Sequence, residues 1–226
     1  MKGSCTIIGE PVKFLMSIQQ YLCCRPLFNF STLQLFNFHH CTKTKTLNFI
    51  IFDLEATCWE GRPPSKVQEV IEIGAVLMNG YGEVEAEFSR MVRPILNPRL
   101  SAYCQELTNI KQTEVDRAAL FPIVIESFQD WGLMLDEDYV LCSWGGMDKK
   151  LLLQDCQLHD IEDEWVDAHI NIKHQYMELK RMRRPKGLRA SVEAEGFDFT
   201  GPQHRALADA QNLAKIFLKY LDMWQF

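Results

Sequence analysis

The feature that most constrains this chain is a short apolar run ending in two acids. Leu47-Asn48-Phe49-Ile50-Ile51-Phe52 suits a buried strand, and Asp53-Leu54-Glu55 follows at once. Residues two apart in a strand point to the same face, so both carboxylates project together. Like charges this close repel, and the usual resolution is a raised pKa or a bound cation. Hard divalent ions such as Mg2+ or Mn2+ take oxygen ligands of this kind. A solvated strand end would carry the same acids without any such role, so the pair needs partners elsewhere in the chain.

A second group is His204-Arg205-Ala206-Leu207-Ala208-Asp209. On one helix, five positions are about 500° of rotation, which brings the two side chains to a similar quadrant. The carboxylate could then hold a metal while the imidazole, which titrates near neutral pH, acts as a base on water. The plain alternative is an exposed helix start. A third acid belongs between these groups. Asp148 follows the strand Val140-Leu141-Cys142-Ser143 and opens the next helix; Asp138, Asp155 and Asp160 read as loop or exposed-helix acids.

The surrounding pattern is that of an α/β domain. Strands are expected over 67–78 and 83–92, joined by the turn Asn79-Gly80-Tyr81-Gly82. Helical spacing follows over 101–107, 112–118 and 121–135, then a strand over 139–143 and a helix over 147–156. A strand over 165–170 and helices over 172–180, 188–195 and 204–221 complete a mixed sheet flanked by helices.

With 226 residues, 47% hydrophobic and 24% charged, the chain fits one soluble globular domain with a tail. Residues 1–46 differ from the rest. Leu27-Phe28-Asn29-Phe30 recurs as Leu35-Phe36-Asn37-Phe38 in an acid-poor stretch, expected to be a disordered or dispensable extension before a domain at 47–226. Lys2 is followed by no sustained apolar region, so no signal peptide is expected. No apolar run reaches the roughly 18 residues of a membrane span. The eight Cys form no close CxxC pair, which argues against a zinc site or disulfide framework and for reduced thiols in a cytoplasmic protein. A net charge of −6 argues against broad adhesion to nucleic acid, although an acidic centre becomes locally electropositive once divalent ions bind. Against that background, 180–189 carries six cations in ten residues, with Arg181, Arg183 and Arg184 at its centre. It reads as a phosphate track or as a solvated loop.

Asp-x-Glu, then Asp, then His-x4-Asp, in this order, resembles the DEDDh 3′→5′ exonucleases. The stretches Asp53-Leu54-Glu55-Ala56-Thr57-Cys58, Gly61-Arg62-Pro63-Pro64 and Glu69-x-Ile71-Glu72-Ile73-Gly74 are similar to the branch that includes the histone-mRNA 3′ exonuclease, or Eri-type exoribonucleases. So are Val92-Arg93-Pro94, Leu100-Ser101 with Cys104, the segment from Leu107 to Ala118, and His204 through Asn212. The resemblance implies a ribonuclease-H-like fold and two Mg2+ or Mn2+ ions, bridged by Asp53, with Glu55 and Asp209 on the first and Asp148 on the second through water. His204 would take the proton of the attacking water, releasing 5′-mononucleotides from single-stranded or 3′-overhanging RNA. Leu54, Thr57 and Tyr103 match positions that cradle the terminal nucleotide. Tyr103 stands where the family often has Phe. Asn109 replaces a frequent Gly at a position needing positive φ, which Asn tolerates. Met147, rather than Trp, precedes Asp148, so Trp144 either stacks on substrate or packs under the sheet. A DNA 3′ exonuclease and a silent nucleic-acid-binding module are the rival readings; the 2′-hydroxyl contact that would separate RNA from DNA cannot be placed from sequence.

Overall fold

The computed structural model describes residues 47–61 and 67–226. The extension over 1–46 and Arg62-Pro63-Pro64 lie outside the described residues. Six strands form one mixed sheet: β1 (Leu47–Ala56), β2 (Val70–Met78), β3 (Val84–Arg93), β4 (Ala119–Leu120), β5 (Asp138–Ser143) and β6 (His169–Asn171), in the order β4-β3-β2-β1-β5-β6. β1, β2 and β3 run antiparallel in sequence, whereas β5 is parallel to β1, β6 to β5 and β4 to β3. Among the described residues seven α-helices accompany the sheet: α1 (Ala102–Thr108), α2 (Gln112–Asp116), α3 (Phe121–Trp131), α4 (Met147–Leu158), α5 (Ile172–Leu179), α6 (Leu188–Ala194) and α7 (Ala206–Lys219). This is the mixed sheet flanked by helices that the sequence leads one to expect. Among the described residues, no helix is long and apolar enough to cross a membrane.

Strand parity sorts the core into two halves. On β1, Ile50, Phe52 and Leu54 pack with Phe121, Ile125 and Leu152 of α3 and α4. Phe49 and Ile51 point the other way, onto Leu213, Ile216 and Phe217 of α7. Period-two alternation therefore puts Asp53 and Glu55 on the α7 face. On β2, Ile73, Ala75 and Leu77 join the first half and Val76 and Met78 the second, so Glu72 and Gly74 share the α7 face as well. The antiparallel register sets Asp53 opposite Gly74 and Glu55 opposite Glu72.

Gly74 lets the last helix reach the sheet. A Cβ there would lie 2.0 Å from the backbone nitrogen of Leu207 and 2.2 Å from the carbonyl carbon of Ala206. No side chain fits, so the first turn of α7 presses against the backbone of β2, beside the two acids.

Several elements differ from their sequence-based bounds. β1 continues through its acids to Ala56, so Asp53 and Glu55 lie within the strand rather than beyond it. The stretch 165–170 is a 3-10 turn over Glu164–Val166 followed by the three-residue β6, which pairs with Leu141–Ser143 of β5. β4, two residues long, carries no periodicity and was legible in no pattern. Asn109 takes φ 56 at the end of α1, as its replacement of glycine leads one to expect.

Candidate active site

Four acids and one histidine meet on the α7 face of the central strands. β1 delivers Asp53 and Glu55. β5 ends at Ser143, and its pairing with β1 stops at Ile51 and Cys142. Asp148 stands in the first turn of α4, close enough to the Leu54 N–H of β1 to feel it electrostatically. α7 supplies Asp209, and the loop before it supplies His204.

His204 does not lie on the helix. α7 begins at Ala206, and His204 has φ 60, a left-handed conformation that costs an L residue roughly 1–2 kcal/mol. The helical-rotation expectation for His204 and Asp209 is therefore corrected: a loop, not one and a half helical turns, brings them together. The His204 N–H donates to Asp209 Oδ2 at 3.2 Å, which helps hold this turn. A ligand atom from each of Glu55, His204 and Asp209 lies within 4.8 Å of the others.

The electrostatics follow from the crowding. Burial, then Asp148, Asp209, Glu55 and Glu72, hold the Asp53 carboxyl well above the usual range. Burial and the neighbouring Asp209 push Glu55 up to about 8. Asp148 rises to about 6 through burial, partly offset by the Ser143 hydroxyl and the N–H groups of Asp148 and Leu54. Asp209 also rises to about 6, again chiefly through burial. Burial lowers the His204 imidazole below 6.5. Among the described residues, Asp209 Oδ1 is buried without a hydrogen-bond partner. Buried carboxylates that repel one another, with one oxygen left unpaired, fit the donor set of a divalent-cation centre.

Around this centre a cleft of about 550 Å³ is lined by Asp53, Leu54, Glu55, Trp144, His204 and Asp209, and on its far wall by residues of α6 and the segment before His204. Leu54 borders the cleft, while its side chain packs in the α3–α4 half of the core. Trp144 borders the cleft but is only 7% exposed, packs on Tyr176 and donates from Nε1 to the Lys186 carbonyl at 3.3 Å. Of its two sequence-based readings, packing is the one these contacts describe. Tyr103 is exposed on α1. Thr57 is corrected: it is buried, its hydroxyl accepts the Glu69 N–H at 2.9 Å, and it braces the start of β2 instead of facing the cleft. Arg181, Arg183 and Arg184 are exposed and do not border the cleft, while Lys180 is held by Glu195 at 2.9 Å. Asp155 is also corrected, being buried with Oδ2 accepting the Val70 N–H at 2.8 Å; it pins β2 to α4.

Two functional neighbours escaped the sequence reading. Glu72 is buried, and Arg205 meets it through Nε at 3.1 and 3.2 Å and Nη2 at 2.9 Å. Glu72 Oε2 also accepts the Ala206 N–H at 3.0 Å, capping α7. The available signal was an acid inside an otherwise apolar strand, since a buried charge requires a partner.

Paired acids on a central strand, a third at the start of a helix and a His-Asp loop before the last helix define a buried acidic centre, fit for divalent cations, on a ribonuclease-H-like sheet. Residues 50–217 match the RNase_T family, described as Exonuclease, and the chain belongs to that family. It is 38% identical over 180 residues to 3′-5′ exoribonuclease 1 of Homo sapiens, covering 76% of this chain and 51% of that protein. It is 31% identical over 195 residues to the 3′-5′ exonuclease Snipper of Drosophila melanogaster, covering 75% and 68%. The nuclease domain of 3′hExo, a DEDDh family member bound to rAMP, superposes with a TM-score of 0.72 at 34% identity, covering 80% of this chain and 94% of that one. A 3′-exonuclease from a study of histone mRNA stem-loop recognition gives 0.73 at 35% identity, with 80% and 84% covered. The chain spans about half the length of the human relative.

Proposed function

We propose that the chain is a 3′→5′ exoribonuclease that uses two Mg2+ or Mn2+ ions to shorten single-stranded or 3′-overhanging RNA one nucleotide at a time. The observation that carries this reading is the convergence of Glu55, His204 and Asp209 within 4.8 Å beside Asp53 and Asp148. The names of its relatives, several of them exoribonucleases, support RNA as the polymer.

Asp53, Glu55, Asp148 and Asp209 would hold the ions. Bound there, divalent cations supply Lewis-acid charge that eases deprotonation of water and offsets charge on a departing oxygen. His204, neutral at physiological pH, accepts the proton of the attacking water at a ring nitrogen. The new P–O bond forms as the P–O3′ bond breaks. The shortened strand keeps the 3′-oxygen, which takes a proton from solvent, and a 5′-mononucleotide leaves. Leu54 and Tyr103 are proposed to cradle that terminal nucleotide, with Trp144 as the inner wall.

The test is incubation of the purified chain with 5′-labelled RNA and DNA oligonucleotides, single-stranded and 3′-overhanging. RNA should shorten stepwise with Mg2+ or Mn2+, stay intact in EDTA and react poorly with Ca2+. Asp53→Asn should lose most of this activity. Undiminished cleavage in EDTA would remove the metal centre, and faster cleavage of DNA would replace RNA as the substrate.

A further inference from the structure

The cleft extends past the acids to a wall that the hydrolytic centre does not use. Gly187, Leu188 and Arg189 open α6 there, and Phe199 and Gln203 face them from the segment leading to His204. Arg189 has partners on three sides. Its Nε donates to Glu193 Oε1 at 3.0 Å, its Nη1 to Gln203 Oε1 at 3.3 Å, and its Cζ lies 5.3 Å from the centre of the Phe199 ring. A guanidinium carries five N–H donors, so these two bonds leave donors on the Nη nitrogens of a side chain that is 53% exposed.

The charge around it is one-sided. Asp53, Glu55, Glu193 and Asp209 line the same cleft, and among the described residues Arg189 is the one cation that does. A polyanionic strand entering this cleft passes four carboxylates and one guanidinium. Arg181, Arg183 and Arg184, though close in sequence, do not border it.

We propose that Arg189, stacked on Phe199 and braced by Gln203, binds a backbone phosphate of the strand inside the cleft. The proposal rests on the nuclease reading and assigns one phosphate contact within it. The rival explanation is that Arg189 only neutralises Glu193, one turn along α6 at 3.0 Å. The two explanations diverge in a double variant. Arg189→Met removes a charge-assisted contact and should raise KM for a six-nucleotide single-stranded RNA about tenfold. Arg189→Met combined with Glu193→Gln restores the net charge of the cleft but not the phosphate contact.

The experiment measures KM and kcat on that RNA with Mg2+ at several KCl concentrations, for the full chain and for Arg189→Met, Arg189→Lys and the double variant, with melting curves to confirm folding. KM should stay about tenfold raised in the double variant, with kcat little changed. The slope of log KM against log salt should fall by about 0.7 in both Met variants, the value for one phosphate on a single strand. Arg189→Lys, which keeps the charge but loses the planar fork, should fall between. Wild-type KM in the double variant would overturn the Arg189 assignment while leaving the nuclease standing. A wild-type chain that leaves the RNA intact would overturn both.

Discussion

Glu72 lies opposite Glu55 in the β1–β2 register and holds Arg205, the residue next to His204, through contacts of 2.9 to 3.2 Å. One buried carboxylate thus ties the sheet to the loop that presents the proposed base. It also caps α7 through the Ala206 N–H. The like charge of Glu72 helps to raise Glu55, and Arg205 partly offsets it. Removing the cation strands a buried charge, which is more damaging than losing the attraction alone. Arg205→Ala should therefore destabilise the fold by about 3 kcal/mol, read by urea unfolding in EDTA. Glu72→Gln in the Arg205→Ala background should recover much of that loss. Additive losses in the double variant would show that the two side chains act independently.

Gly74 is the second junction between sheet and site. A methyl group there would overlap the backbone of Leu207 at 2.0 Å, and no rotamer change relieves a backbone clash. Gly74→Ala should push α7 outward, carrying Asp209 and His204 away from Asp53 and Glu55. The expected result is a loss of about 3 kcal/mol or more, at the upper end for overpacking, together with loss of hydrolysis. A variant that melts like the wild type would contradict the close approach.

The raised carboxyl groups make stability depend on pH and metal together. Glu55 sits at about 8, and Asp148 and Asp209 at about 6, all above their unfolded values near 4. Between those values the folded state binds more protons than the unfolded one, so stability without metal falls as pH rises. The penalty is absent below pH 4, builds from there and is complete above pH 8. Divalent ions should offset it by binding the ionised acids. Melting curves in EDTA and in Mg2+ should thus coincide near pH 5 and diverge toward pH 8, by about 5–10 °C at 100 times the dissociation constant. Curves that stay parallel at every pH would contradict a shared acidic centre.

Much of the site was legible because its cause is local. An apolar run followed by Asp-x-Glu fixes both the strand and the face its acids share. Asn109 could be placed in the left-handed region because few residues other than glycine tolerate it. Asp148 follows from a strand end and a helix start only a few residues apart. The remainder depends on contacts that sequence spacing does not encode. Arg205 and Glu72 are 133 positions apart, and Asp155 and Val70 are 85 apart. Asp155 looked like a surface acid until β2 brought an N–H to it. His204 looked helical because the run after it is helical, and only the press of α7 against Gly74 shows that the chain must turn first. Arg189 was one cation among six until the fold placed it alone in the cleft.

In the proposed reaction His204 removes the proton of the attacking water. It must then be neutral to act, and burial sets its pKa below 6.5, which positive ions nearby would lower further. With Mg2+ and saturating RNA, kcat should rise with pH over an acidic limb that lies below 6.5 and be level at neutrality. The measurement is the pH–rate profile of the wild type beside His204→Ala. The variant should lose about 10²- to 10⁴-fold in kcat at neutral pH and lose this acidic limb, while KM stays close to that of the wild type. A His204→Ala enzyme with kcat near wild type, or with the same acidic limb, would contradict the assignment.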